Sequence, residues 1–504
     1  MAGANLYQAF EPGFAAGTSA VAFEAVDGTP LLTFAALSTA VARFANALEA
    51  LGVTPGDRVT MQIDKSLGAI VLYLAVLKTG AVLNPLNSAY TAAEVEYFIA
   101  DAAPALVVTS SEKAETMEPI ARRHGSAHVT LDGLSAGSLA RKAAGRPPDH
   151  ETCARRPDDL AGLLYTSGTT GHPKGAMLSH GNLLSNASTL RNVWAFAPDD
   201  VLLHALPVFH VHGLYVALNT AFLGAHRIIW LERFHAADVL RALPRATIFM
   251  GIPTYYTRLL ADERFDSAAC RTIRLLISGS APLLPETHAA VFERTGRPIL
   301  ERYGMTETGM IASNPVQGPR LAGSVGFALP DVDVRIADDN GRPLRPGEIG
   351  VVEVRGPNVF SGYWHRDGAR AEDFRADGFF ITGDIGTMDA EGRITLLGRA
   401  KDVIISGGLN VYPREVEQAL DAIEGIAEAA VIGVPHPDFG EAVVAVVVGG
   451  PAMPEERAII DRLRASLAKF KIPKRILRVS ELPRNAMGKV QKAELRRRFA
   501  RLLI

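Results

Sequence analysis

One repeated order, helix then strand, constrains this chain most. It runs from residue 32 to about 160. "FAALSTAVARFANALEALG" places apolar residues at helical spacing and stops at a glycine, "VTPGD" makes a turn, and "RVTMQI" then reads as a strand. The pair recurs as "AIVLYLAVLKTG" with "AVLNPL", and as "AAEVEYFIADA" with "ALVVTS". Helix followed by strand, several times over, predicts an α/β fold with a mostly parallel sheet and helices on its faces. The alternation continues to residue 300 through "RIIWL", "ATIFMG" and "LLISGS". Short strands between glycine-rich turns from 318 to about 400 predict a small antiparallel β unit. After "GRAKD" the chain starts again. "PREVEQAL" opens a helix with proline in its first turn, "EAAVIGV" and "EAVVAVVVG" read as strands, "EERAIIDRLRASL" as a helix, and a basic tail closes the run. The expected division is a large domain over 1–400 and a small mobile α+β domain over 401–504.

A chain of 504 residues is too long for one hydrophobic core, and roughly three core-forming units are expected. Apolar residues at 48% and charged residues at 21% fit a globular protein and exclude a disordered or coiled-coil composition. With 52 basic and 54 acidic side chains, nothing in the net charge steers the protein to nucleic acid or an anionic membrane, so any anionic ligand must be held locally. Two cysteines, Cys153 and Cys270, make neither a disulfide framework nor a zinc-finger spacing, which fits a reducing cytoplasm. The start carries no secretory pattern, and the most apolar run is broken by Lys78 and Gly80, so no membrane span is expected.

"LLYTSGTTGHPKGAML", residues 163–178, is the most informative stretch. A strand ends near Tyr165 and leads into a loop of hydroxyls and glycines, with one lysine near its end. Unhindered backbone N–H groups, hydroxyls and an ammonium suit a polyphosphate. It is not a Walker A loop, because Lys174 comes after Pro173 where that motif needs Gly-Lys-Ser/Thr. A flexible surface loop is the plainer alternative.

"YTSGTTGHPKGA", "ERYGMTET", "FFITGD", "GRAKDVIISGGLNVYP" and "PRNAMGK" occur in that order at large intervals. Together they resemble the acyl-adenylate-forming superfamily of acyl-CoA synthetases, peptide-synthetase adenylation domains and luciferases, over about residues 30–492. "HALPVFHVHGL", "SGSAPLL" and "ERYGMTET" are most similar to the malonyl-CoA synthetases within it.

The resemblance implies roles residue by residue. Thr166, Ser167, Gly168, Thr169, Thr170, Gly171 and Lys174 would cradle the phosphates of ATP. Tyr303 would lie against the adenine, Gly304 would leave room for the nucleotide and Thr306 would touch the α-phosphate. Glu307 would hold Mg²⁺, a hard cation suited to carboxylate oxygen. Asp384 would accept from the ribose hydroxyls, with Arg399 as a second ribose or phosphate contact. Lys489 would stabilise charge as the substrate carboxylate attacks the α-phosphorus, although its neighbours Lys492, Arg496, Arg497 and Arg498 also read as a solvated basic face. Acetylation of Lys489 would silence that step. Lys401 occupies the position of the family's hinge, where many members carry aspartate, and Ser406, Gly407 and Gly408 would line the path of coenzyme A.

His210 and His212 are two apart, and no third ligand at a sensible spacing accompanies them, which argues against a metal pair. The resemblance places His210 in a pocket wall, and His212 is suited to donate a hydrogen bond to an acid. Arg302, just before Tyr303, and Arg258, in "GIPTYYTRLL", would converge with the Ser280 hydroxyl on a second substrate carboxylate. The plainer reading pairs Arg302 with Glu301 or Glu307, and Arg258 with Asp262. If the arginines are buried without an anion the cost is on the order of 3 kcal/mol, enough to favour a diacid over acetate or a fatty acid at least about a hundredfold. The expected activity is an ATP-dependent ligase that converts malonate and CoA to malonyl-CoA, AMP and pyrophosphate through malonyl-AMP, with the acceptance of methylmalonate left open. The alternatives are a short-chain or aryl acyl-CoA synthetase, a stand-alone enzyme loading a carrier protein, and a non-catalytic nucleotide-binding regulator.

Overall fold

The computed structural model describes residues 4–166, 173–366, 370–406, 409–437, 439–485 and 488–503, with the side chains of 370 and 371 also set aside. By contact the chain divides into two compact units. The first comprises 1–322, 326–333 and 355–380, and the second 323–325, 334–354 and 381–504. The sequence reading draws its line after residue 400; by contact most of the small β unit groups with the C-terminal residues.

Among the described residues the first unit holds a nine-stranded and a six-stranded sheet. In the nine-stranded sheet the strands Val201–His204, Ile248–Gly251, Leu275–Ser278 and Ile299–Met305 run parallel, and Gly309–Ser313 turns back antiparallel on the last. The three strands Val201–His204, Ile248–Gly251 and Leu275–Ser278 are buried at every position, which is why they read as unbroken apolar runs rather than as alternation. In the six-stranded sheet Arg58–Gln62, Val82–Pro85 and Leu106–Thr109 pair in parallel, as the helix–strand repeat predicts. The sheet ends in an antiparallel hairpin of Leu160–Thr166 and Lys174–Ser179.

The helices supply the crossovers. Phe34–Ala50 begins where the Thr33 hydroxyl accepts from the Ala36 N–H, and Ala92–Ala102 begins with a Thr91–Glu94 capping box. Leu67–Lys78 is buried from Gly68 to Lys78, so its uniformly apolar sequence reflects an interior position. No helix among the described residues is long and apolar enough to cross a membrane.

In the second unit the central strands Ile426–His436 and Gly440–Gly449 pair antiparallel over their length. Their side chains alternate between two cores. Val431, Val443, Ala445 and Val447 pack with Val416, Leu420, Ile459 and Leu463, while Ile432, Val434, Val444 and Val446 pack with Leu482 and Leu495. Both faces are covered by helices, which explains the valine-rich run. The last helix, Lys492–Phe499, is anchored by charge: Lys492 meets Glu417 at 2.6 Å and Arg496 meets Asp402 at 2.6 Å. These two cations are therefore held in place rather than solvated.

Candidate active site

Thr166 and Lys174 are cross-strand partners at the end of their hairpin, so the hydroxyl and the ammonium flank the segment between them. Ser167, Gly168, Thr169, Thr170 and Gly171 lie outside the described residues, as do Gly407 and Gly408. Glu307 is buried, and its Oε1 accepts from the Thr166 hydroxyl at 3.2 Å and from the Tyr363 hydroxyl at 2.9 Å. The Lys174 ammonium stands 4.8 Å from the Tyr363 ring centroid. The structure thus brings Thr166, Lys174 and Glu307 together, and adds Tyr363, which sequence reasoning missed.

Glu307 lies in a turn held by two asparagines. Asn186 donates to the Met310 carbonyl at 2.9 Å and accepts from its N–H at 3.0 Å, and Asn358 donates to the Thr308 carbonyl at 2.7 Å. Thr306, in the same turn, lines a small cavity with Asn182, Asn186 and Asn358. Tyr303 is buried in the strand leading into this turn. Gly304 is required locally, since a Cβ there would come within 2.1 Å of the Gly309 carbonyl oxygen.

Glu307 and Thr166 offer hard oxygen donors of the kind Mg²⁺ takes when phosphate supplies the remaining ligands. Among the described residues no cluster of three His, Cys, Asp or Glu side chains could hold a metal by itself.

Arg302 is 4% exposed, and its Nε and Nη2 have no hydrogen-bond partner among the described residues. Burial pushes its pKa down to about 9, so it still carries its charge at neutral pH. The acids that the plainer reading would have paired with the two arginines are engaged elsewhere. Glu301 faces His288 at 3.6 Å, Glu307 is bound as described, and Asp262 takes Arg264 at 2.6 Å. The guanidinium packs on the turn at Gly279, where an added Cβ would lie 2.4 Å from its Cζ. The next residue, Ser280, adopts φ +70°, a strained value for a residue with a side chain.

The Ser280 hydroxyl meets His212 Nδ1 at 3.1 Å. His212 is fully buried, and burial, then the Arg302 charge, hold its pKa far below the ordinary imidazole value. It is neutral, with Nε2 unpartnered among the described residues. His212 opens a π-helical stretch, His212–Leu218, a rare form often found at functional sites. His210 precedes it, its Nδ1 accepting from the His212 N–H at 3.4 Å. Arg302, Ser280 and His212 are therefore brought together. Arg258 is not. It is exposed on the helix Pro253–Leu260, because two residues beyond the buried Tyr256 lie about 200° further round a helix.

In the second unit Asp384 and Arg399 face each other across a hairpin, with Arg399 Nε 2.7 Å from Asp384 Oδ1. Lys401 is exposed in the single turn Ala400–Asp402, and Ser406 is buried. Lys489 is exposed at a turn closed by Asn485, whose side chain accepts from the Lys489 N–H at 3.0 Å.

Comparison with known proteins gives the family and the fold. The family described as AMP-binding enzyme matches residues 15–364, and the AMP-binding enzyme C-terminal domain matches 415–489. The crystal structure of ATP-bound MatB from Rhodopseudomonas palustris is 48% identical, covers 100% of both chains and superimposes with a TM-score of 0.97. A feruloyl-CoA synthase from an Amycolatopsis species is 38% identical over 94% of this chain and 95% of its own. The mitochondrial malonate–CoA ligase ACSF3 of Mus musculus is 36% identical over 87% of this chain and 81% of its own. A hydroxyl, an ammonium and a buried carboxylate gathered at one hairpin, on a scaffold shared end to end with an ATP-bound protein, lead to one conclusion: the chain belongs to the AMP-binding enzyme family, with the fold of the adenylate-forming enzymes.

Proposed function

We propose that the protein is an ATP-dependent acid–CoA ligase that converts malonate and CoA to malonyl-CoA, AMP and pyrophosphate through malonyl-AMP. One observation carries the substrate choice, the buried guanidinium of Arg302 with two nitrogens unpartnered among the described residues. Such a group is costly until an anion meets it, and a carboxylate accepts from two of its N–H groups at once. His212 Nε2 adds a donor beside it, because the Ser280 hydroxyl, by donating its proton to Nδ1, fixes the tautomer that carries the proton on Nε2. A malonate tethered by one carboxylate presents the other for activation, and methylmalonate adds one methyl group.

In the first step a carboxylate oxygen attacks the α-phosphorus and pyrophosphate departs with the electron pair of the broken P–O bond. Lys174 and Lys489 stabilise the developing charge, Tyr303, Gly304 and Thr306 hold the nucleotide, and Asp384 with Arg399 hold the ribose. Glu307 and Thr166 would hold Mg²⁺, which supplies charge neutralisation on the phosphates when bound. In the second step the CoA thiol attacks the acyl carbon, the C–O bond to AMP breaks, and the thiol proton is lost. By resemblance to the family, Lys401 would serve as the hinge and Ser406 would line the pantetheine path.

A second reading has specific support, because the feruloyl-CoA synthase relative is slightly more similar than the malonate ligase. An aryl acid needs no buried cation, and Arg302 favours the diacid. The test is pyrophosphate release with malonate, methylmalonate, succinate, acetate, octanoate and ferulate. Malonate should lead at least about a hundredfold over acetate and octanoate. Equal rates on octanoate and malonate, or a preference for ferulate, end the malonate reading. The two free cysteines support a cytoplasmic location, although the mouse relative is named as mitochondrial.

A further inference from the structure

Tyr363 touches both charged groups at the phosphate end of the first unit. Its hydroxyl donates to Glu307 Oε1 at 2.9 Å, and its ring carries the Lys174 ammonium at 4.8 Å from the centroid. The backbone around it is stitched to the strand Lys174–Ser179. The Trp364 N–H donates to the Gly175 carbonyl at 2.8 Å, the Met177 N–H donates to the Gly362 carbonyl at 3.1 Å, and Tyr363 bridges Ala176. On its other side the Phe360 N–H donates to the Glu307 carbonyl at 2.8 Å, and the Phe360 ring meets Tyr363 edge-on at 4.9 Å. Tyr363 is held by the strand that bears the lysine and by a neighbour bonded to the glutamate.

We infer that Tyr363 is a positioning residue that fixes Glu307 and Lys174 relative to each other for the incoming triphosphate and its metal; this rests on the ATP-dependent reading above. Its hydroxyl occupies one lone pair of Oε1 and so sets which lone pairs of the carboxylate remain for a cation. Hydrogen bonds of this kind around a ligating carboxylate are worth about 10–100-fold in metal affinity. Its ring face attracts the ammonium and limits where it can swing. The two contributions separate chemically, because phenylalanine keeps the ring and deletes the hydroxyl, whereas leucine deletes both.

The test uses the full-length protein with ATP and no acid, so that nothing turns over. Mn²⁺ binding is read by electron paramagnetic resonance, and ATP binding without metal by calorimetry. Tyr363→Phe is expected to weaken Mn²⁺ binding about tenfold and to leave metal-free ATP binding unchanged. Tyr363→Leu is expected to weaken Mn²⁺ similarly and to weaken metal-free ATP binding about threefold as well. A melting curve checks that the leucine variant is folded, and the phenylalanine variant keeps the contact with Phe360. Unaltered Mn²⁺ affinity in Tyr363→Phe, beside a wild type that binds both ligands, overturns this inference alone. A wild type that binds neither removes the ATP reading and this inference with it.

Discussion

The guanidinium of Arg302 occupies space that opens only because residue 279 has no side chain, since a Cβ on Gly279 would lie 2.4 Å from Arg302 Cζ and 2.5 Å from Nη1. Arg302 is enclosed, so it cannot retreat into solvent to relieve the contact. Gly279→Ala is therefore expected to displace the guanidinium from its seat. The result should be a fall of about 10–100-fold in kcat/KM for malonate with little change in the KM for ATP. Steady-state kinetics on both substrates decides this, and an equal loss on both would point to general damage.

Arg302 itself allows stability to be set against function. A buried charge without a partner opposes folding, and an apolar residue of similar length removes that cost. Arg302→Met is expected to raise the unfolding free energy by about 1–3 kcal/mol while abolishing the preference for malonate over acetate. Denaturant unfolding and the acid panel measure the two effects. A destabilised Arg302→Met would mean that the guanidinium is satisfied within the fold.

The buried histidines predict a one-sided loss of stability in acid. His180 accepts from the Leu6 N–H at Nδ1, and burial, then the charge of Arg155, lower its pKa to about 4. Above the ordinary imidazole pKa both the folded and unfolded forms are neutral and no penalty applies. As pH falls from about 6.5 toward 4 the unfolded chain takes up the proton and the folded one does not, so stability drops by on the order of 3 kcal/mol from this site. His204 and His212, also held far below the usual value by burial first, add to the slope. Unfolding measured between pH 7.5 and 4.5 should show uptake of more than one proton. Amides of the helix Leu6–Ala16 should lose exchange protection early, because protonating Nδ1 breaks the bond to Leu6.

If Lys489 serves adenylation alone, as proposed, its removal separates the two half-reactions. Lys489→Gln, or acetylation of its ammonium, is expected to reduce malonate-dependent ATP–pyrophosphate exchange by a factor of about 100–1,000. Thioester formation from supplied malonyl-AMP should be retained. Loss of both steps to the same degree would argue that the turn at Asn485 matters for folding rather than for charge.

The α/β architecture was legible because long periodic segments such as Phe34–Ala50 carry their own period and caps, and because uniformly apolar runs such as Leu275–Ser278 mark strands covered on both faces. The grouping of Thr166, Lys174 and Glu307 was legible through ordered motifs, not through any local pattern. Several of the features that escaped depend on distant chain meeting distant chain. Tyr363 lies 56 residues from Glu307 and nothing beside it announces the contact. Asn186 and Asn358 grip the turn after Glu307 from two separate segments. Arg302 and Arg258 look alike as residue types, and only their settings, a buried strand for one and the outer face of a helix for the other, show that one is enclosed and the other exposed. The π-helical stretch was invisible because a periodicity argument assumes 3.6 residues per turn.

That wide turn has a consequence for anyone shortening or redesigning this region. His212–Leu218 carries more residues per turn than an α-helix accommodates, so removing one residue would let the segment relax into ordinary α geometry. Because the wide turn absorbs the extra residue, the chain on either side would keep nearly the same phase, and the change would fall on the residues of the stretch itself, His212 among them. The imidazole facing Ser280 would be among the first groups to turn away, and a deletion that looks conservative on paper would erase the anion pocket without touching any residue in it.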